Sequence, residues 1–281
     1  MPATVQRIAA FSDGDSGGNP AGVLIASRLP DAAQMQQIAA EVGYSETAFA
    51  MPGKNDSWRV RYFSPESEVP FCGHATIALG AALANEYGNG IFSLELNDAD
   101  ITVEGHHNAG ALSAALQSPS TYSKPLDTDL AESVLKLFGL SRADLDPALP
   151  PAFAHAGANH VIVSLASRKR LTDMSYDQAA GKTLMVNAKL ITIMLAYAES
   201  PRLFHTRNPF ASGGVYEDPA TGAATAALAG YLRDIDWQHG GAINIVQGED
   251  MGCRSLLKAE LSDEKGSSIR VSGNARFIQA E

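Results

Sequence analysis

The sequence predicts a mixed α/β chain built twice, with strands wrapped round one central helix in each half. Three observations predict it. Short runs of β-branched and aromatic residues alternate with only a few helical stretches. Two Ala-rich segments, His74–Tyr87 and Pro219–Arg233, are apolar nearly all round, which puts a helix inside its domain rather than on the surface. The chain also echoes itself. Gly17–Arg28 aligns with Gly157–Arg168, repeating Gly, Asn, Val, Ala, Ser and Arg in step, and Ala75–Ala84 aligns with Ala224–Arg233 in the same order. Repeats that keep their order point to a duplicated unit. A cleft between two such halves is where a ligand would sit.

Each element has a local reason. Val5–Phe11 and Trp58–Phe63 are rich in strand formers, and Ser45–Met51 and Ile91–Leu96 are further strand candidates. Asp31–Val42 carries an acidic N-cap candidate and apolar Met35, Ile38, Ala39 and Val42 at helical spacing. Ser118–Pro151 is polar, turn-rich and Pro-containing, with one expected helix at Leu130–Phe138. The domain boundary is placed at its start, giving residues 1–117 and 118–281. The final strand, Ile269–Ile278, can pack with either half.

Composition excludes several functions. The 281 residues are 45% hydrophobic with a formal net charge of −10, so no basic footprint for nucleic acid exists. Arg7 is followed by no apolar leader, and the longest apolar runs, Ile77–Ala84 and Leu190–Ala198, are about half a membrane span. A cytoplasmic protein without membrane contact is expected. The two cysteines, Cys72 and Cys253, form no CxxC pair. Gly181-Lys182-Thr183 lacks the earlier glycine of a phosphate loop, and no GxGxxG follows a strand. His155 and His160 are wrongly spaced for one helix face, so neither metal nor organic cofactor is expected.

Three titratable residues stand in informative surroundings. Glu46 lies among Tyr44, Ala48 and Phe49, where partial desolvation would raise its pKa and suit it to acid and base work. A solvent-facing strand glutamate fits the same pattern. His74 follows Gly73 at an expected helix start, which favours the neutral ring; a capping or packed histidine fits as well. Asp218 precedes Pro219, and an aspartate N-cap explains that placement on structural grounds alone. Gly73 and Thr221-Gly222 would leave free backbone N–H groups at two helix starts, a setting for a carboxylate. Asn19, after paired glycines, is a side-chain donor or simply part of a tight turn.

Five ordered motifs then make the chain recognisable: Gly17-Gly18-Asn19-Pro20, Tyr44–Phe49, Glu68–Thr76, Glu217–Ala223 and Val246–Gly252. Over nearly its whole length the chain resembles the PhzF family, the phenazine-biosynthesis-type isomerases of the diaminopimelate-epimerase-like superfamily. The resemblance implies two pseudo-equivalent α/β domains, each a curled, mostly antiparallel sheet around a central helix. It implies cofactor-independent proton transfer between carbons of a small carboxylic acid, with Glu46 as the shuttle and His74 and Asp218 assisting. Asn19, Ser45, Gly73, Thr221, Gly222 and Ala223 become the expected substrate contacts, and a homodimer the expected assembly. Two departures stand out. Ala223 replaces a frequent serine, and Met251-Gly252-Cys253 replaces Met-Gly-Arg, with Arg254 one place late.

Rival readings remain. A two-base epimerase or racemase would need a thiol at each helix start, and Asp218–Ala223 has none. A Cys72–His74 nucleophile pair is disfavoured because i and i+2 residues of a helix do not face each other. A small-acid-binding protein without catalysis keeps the same residues.

Overall fold

The computed structural model describes residues 4–97 and 99–279. They form two compact units, one holding residues up to Gln117 with those from Ser272 onward, the other Ser118–Val271.

In the first unit β1 (Gln6–Ala10) and β2 (Asn19–Ile25) run antiparallel. Helix α1 (Ala32–Val42) then crosses over, so that β3 (Thr47–Pro52) lies parallel to β2, as a parallel pair requires. Strand β4 (Ser57–Phe63) returns antiparallel, and the two-residue β5 (Glu68–Val69) pairs with its end. A second crossover, α2 (Gly73–Tyr87), brings β6 (Gly90–Glu95) parallel to β4. The antiparallel β7 (Asp100–Asn108) and β8 (Ala111–Gln117) follow.

Local chemistry accounts for the helices. Asp31 and Gln34 close a capping box on α1, and Gly43 ends it in the left-handed region at φ 71. Its stripe buries Met35 and Ala39 against Leu24, Phe49 and Phe63. Every residue of α2 from His74 to Ala84 is buried, as expected for a helix inside its unit. The close approach depends on Gly80, where a Cβ would stand 2.5 Å from Cγ2 of Val103.

The second unit opens with β9 (Thr121–Pro125) and α3 (Thr128–Leu137) and then repeats the scheme. Strands β10 (Ala152–Ala156) and β11 (Asn159–Ser164) are antiparallel. Helices α4 (Arg168–Thr172) and α5 (Gln178–Asn187) cross over to β12 (Thr192–Ser200), parallel to β11. Strand β13 (Leu203–Phe210) returns, and β14 (Val215–Asp218) pairs with its end. Helix α6 (Gly222–Asp234) then carries the chain to β15 (Ala242–Gln247), parallel to β13 and antiparallel to β16 (Ser255–Glu260). The last strand, β17 (Arg270–Phe277), pairs Ala275–Phe277 with β1. Two mostly antiparallel sheets, each wrapped on one buried helix, are thus built by the same order of turns and crossovers. The echo of Gly17–Arg28 in Gly157–Arg168 is β2 echoed in β11, both opening on asparagine.

Three local expectations change. Helix α6 begins at Gly222, not at Pro219, because Asp218 pairs with Asn208 and stays in β14; Thr221 is the N-cap. The turn-rich Ser118–Pro151 contains the strand β9 as well as α3. Helices α4 and α5 were not legible, since α4 is short and α5 buries only Gly181 and Met185. Among the described residues no helix is long and apolar enough to cross a membrane.

Candidate active site

The first unit gathers Ser45, Glu46, Cys72 and His74. Glu46 stands between the end of α1 and β3, with its carbonyl accepting from the N–H of Gly22 at 3.1 Å. Gly22 makes that approach feasible, because a Cβ there would lie 2.6 Å from Oγ1 of Thr47. His74 is the second residue of α2. Its Nε2 lies 3.5 Å from Oε2 of Glu46 and 3.4 Å from Oγ of Ser45. Both side chains are largely shielded, at 7% exposure for His74 and 15% for Glu46. On the other side of the ring, Sγ of Cys72 lies 3.3 Å from Nδ1.

The Cys72 contact corrects the expectation that Cys72 and His74 point apart. That expectation assumed both were helical. Cys72 is the N-cap with φ −144 and ψ 118, an extended conformation that turns its side chain back over the first turn. Its carbonyl accepts from Oγ1 of Thr76 at 2.7 Å, and Thr76 bonds the buried Tyr62 hydroxyl at 2.7 Å. Burial pushes the Tyr62 phenol well above its ordinary range, so it stays protonated and holds this corner as a neutral bond.

The second unit builds its own helix start from different side chains. Thr221 Oγ1 donates to Oδ2 of Asp218 at 2.5 Å. Gln247, fully buried, clamps both: its Nε2 donates to the Asp218 carbonyl at 2.7 Å and to Oγ1 of Thr221 at 3.0 Å, while its Oε1 accepts from the Thr221 N–H at 3.1 Å. Gly248, at φ 72, lets the next loop press against this turn, since a Cβ would meet the Pro219 carbonyl at 2.7 Å. Arg207 and Glu217 form a buried two-bond pair just before it, at 3.0 and 2.5 Å.

Neither N-cap side chain bonds the N–H groups of its own helix. Cys72 turns to His74 and Thr221 turns to Asp218. The first N–H groups of α2 and α6 are therefore left uncapped by those side chains, and such groups at the positive end of a helix favour an anion. Gly73 and Gly222 occupy the first position of each helix, and Ala223 takes the place in α6 that His74 takes in α2. Asn19 is buried in the first unit opposite Ala10. Arg254, in the second, reaches Glu249 at 3.3 Å.

A carboxylate oxygen of Glu46, the Cys72 sulfur and a His74 nitrogen lie within 4.8 Å of one another. These are donor types that zinc accepts. The close contacts of His74 use opposite ring nitrogens, however, so carboxylate and sulfur do not converge on one of them.

The model of the phenazine biosynthesis-like proteins, PhzC-PhzF, matches residues 8–280 of this chain. The chain belongs to that family. Among its relatives is the trans-2,3-dihydro-3-hydroxyanthranilate isomerase of Pseudomonas fluorescens, 33% identical over 95% of this chain and 94% of its own. A PhzF-family protein of Bacillus anthracis shares the fold with a TM-score of 0.87 at 22% identity, covering 99% of this chain and 98% of its own. A probable proline racemase of Agrobacterium radiobacter is also similar in fold, with a TM-score of 0.67 at 12% identity, covering 99% and 93%.

In this PhzF-family chain the motifs pointed to Glu46, His74 and Asp218, and the structure shows what each one touches. The contacts of Cys72, Thr76, Tyr62 and Gln247 were missed. Cys72, Thr76 and Gln247 lay inside quoted motifs, and polar residues flanking a helix start were the available signal. Tyr62 carried none, because a strand tyrosine reads as ordinary core.

Proposed function

We propose that this protein is an isomerase that moves a proton between two carbons of a small carboxylic acid, with Glu46 as the acid and base and without a cofactor. The observation that carries the reading is the largely shielded Glu46 carboxylate beside His74 at the uncapped start of α2. The isomerase name of the Pseudomonas fluorescens relative supports it.

In the proposed reaction the Glu46 carboxylate removes a proton from one carbon, and the C–H electron pair shifts into the adjoining unsaturated system. The resulting carboxylic acid returns the proton to a second carbon on the same face. One carboxyl serves both steps. His74 and Asp218 hold the substrate's polar groups and stabilise the charge that develops between the transfers. Asn19, Ser45 and the backbone at Gly73, Thr221, Gly222 and Ala223 bind the substrate; each uncapped helix end contributes roughly 0.3–2 kcal/mol toward a carboxylate. The Ala223 side chain offers no hydroxyl, so that position contributes through its N–H alone. Two-sided epimerisation by thiols at both helix starts lacks its second thiol at the matching place, because the N-cap corresponding to Cys72 is Thr221. A homodimer belongs to the proposal and is checked by sedimentation at several concentrations.

The test uses trans-2,3-dihydro-3-hydroxyanthranilate and related unsaturated acids as probes in D2O. Solvent deuterium should enter the product carbon to the extent that the Glu46 acid exchanges with D2O before it returns the proton, the rest being transferred directly. Glu46→Gln keeps shape and hydrogen bonding but cannot titrate, so it should bind a turned-over probe while the rate falls about 10²–10⁴-fold. Near-normal turnover by this variant would end the assignment.

A further inference from the structure

We infer that Cys72 is a positioning residue for His74: its thiol donates to Nδ1 and holds the ring in the tautomer whose Nε2–H faces Glu46. The inference rests on the role of Glu46 and His74 proposed above, and it concerns a residue to which that reaction gives no part.

The tautomer follows from counting donors. An ionised Glu46 carboxylate can only accept, so the Nε2 that faces its Oε2 at 3.5 Å must carry the hydrogen for the contact to be favourable. A neutral imidazole has a single N–H. Nδ1 is then a bare acceptor, and in this shielded corner the group against it is the Cys72 sulfur at 3.3 Å. A thiol S–H is a weak donor, yet it supplies the hydrogen that this nitrogen lacks.

The backbone is arranged to keep the sulfur there. Cys72 is extended, its carbonyl is tied to Thr76, and Thr76 is tied to Tyr62. At an N-cap the usual use of a polar side chain is to bond the helix N–H groups. The Cys72 sulfur does not do so and reaches the histidine instead. The second unit independently repeats the arrangement: Thr221, the matching N-cap, also leaves its helix uncapped and donates its hydroxyl to Asp218. In each unit the cap residue orients a side chain assigned to the reaction.

Without a donor at residue 72, Nδ1 is left as a shielded acceptor, the Nε2–H form loses the part of its preference that the thiol supplied, and the ring loses its fixed direction.

The experiment reads the two ring nitrogens of His74 by NMR on the full-length 15N-labelled protein, above the pH at which the ring protonates. His74→Asn identifies its signals among those of the seven histidines. In the wild type, Nε2 should fall in the protonated range and Nδ1 in the unprotonated range. Cys72→Ala should move His74 away from the pure Nε2–H pattern toward an average of both tautomers, leaving the other histidines in place. Cys72→Ser, which keeps a donor, should restore the wild-type pattern. A wild-type His74 protonated on Nδ1 overturns the inference, whether or not any variant folds. Unchanged His74 signals in Cys72→Ala overturn it as well. The readout needs no substrate, so it is separate from the fate of Glu46: loss of turnover in Glu46→Gln with unchanged tautomer in Cys72→Ala would sink the positioning role alone.

Discussion

The two units make the same turn into their central helix and equip it differently. In the first, the short strand β5 ends at Val69, Cys72 caps α2, and a histidine follows the opening glycine, with a carboxylate beside it. In the second, β14 ends at Asp218, Thr221 caps α6, and an alanine follows the glycine. The run that opens β12, Leu190-Ile191-Thr192-Ile193, has no carboxylate where the first unit has Glu46 ahead of β3. The scaffold is thus present twice, and among the described residues a carboxylate–histidine pair stands at the start of the central helix in the first copy and not in the second. The proton shift proposed above needs one acid–base carboxyl.

A second contrast lies one step earlier in the chain. Both units pin the approach to the helix with a two-bond Arg–Glu pair. Arg61 holds Glu68 at 2.7 and 2.6 Å with side chains 24% and 28% exposed. Arg207 holds Glu217 with side chains 9% and 2% exposed. The bond to Arg61 draws the Glu68 carboxyl below its ordinary range. Burial separates the two pairs energetically, because a buried charge left alone cannot be repaid by water.

The largest expected effect follows from that difference. Arg207→Met strands Glu217 and should lower unfolding free energy by about 3–5 kcal/mol, read by denaturant melts. Next comes the core contact of α2: Gly80→Ala drives a Cβ against Val103 and should cost about 1–3 kcal/mol by overpacking. Gly230 in α6 faces Thr121 at 2.7 Å in the same manner, so Gly230→Ala should destabilise similarly if the two helices are equivalent.

A smaller effect per step separates the histidines. His74 has a carboxylate neighbour, whereas His160 is fully buried against Thr192 at 2.8 Å, and burial first, then the neighbouring His155, pushes its pKa to about 3. Above its ordinary pKa of 6.5 the ring is neutral in both states and costs nothing. Below it the unfolded chain takes a proton that the folded one refuses until about pH 3, so stability falls as pH drops through that window. The slope is up to about 1.4 kcal/mol per pH unit. His160→Leu should flatten the pH dependence of the melts between those limits; an unchanged slope would show that His160 is not its source. The smallest effect belongs to Arg61→Met, under about 1 kcal/mol because water screens the pair. Equal costs at Arg61 and Arg207 would erase the contrast between the units.

The sequence alone determined what local forces decide. The Asp31 cap, the stripe of α1 and its glycine stop are set within a few residues. The helices inside the sheets were legible because their segments are apolar on every face. The duplication was legible in two ordered echoes, and the motifs pointed to Glu46, His74 and Asp218. Only the tertiary structure decided the rest. Asp218 before Pro219 reads as a cap, but pairing with Asn208 keeps it in a strand and moves the helix start to Gly222. Cys72 two residues before His74 reads as facing away, but the extended conformation of an N-cap, held through Thr76 and Tyr62, brings the two together. Each turns on a local backbone conformation that a neighbouring strand helps to set, Asp218 by pairing with Asn208 of β13 and Cys72 through Thr76 to Tyr62 of β4.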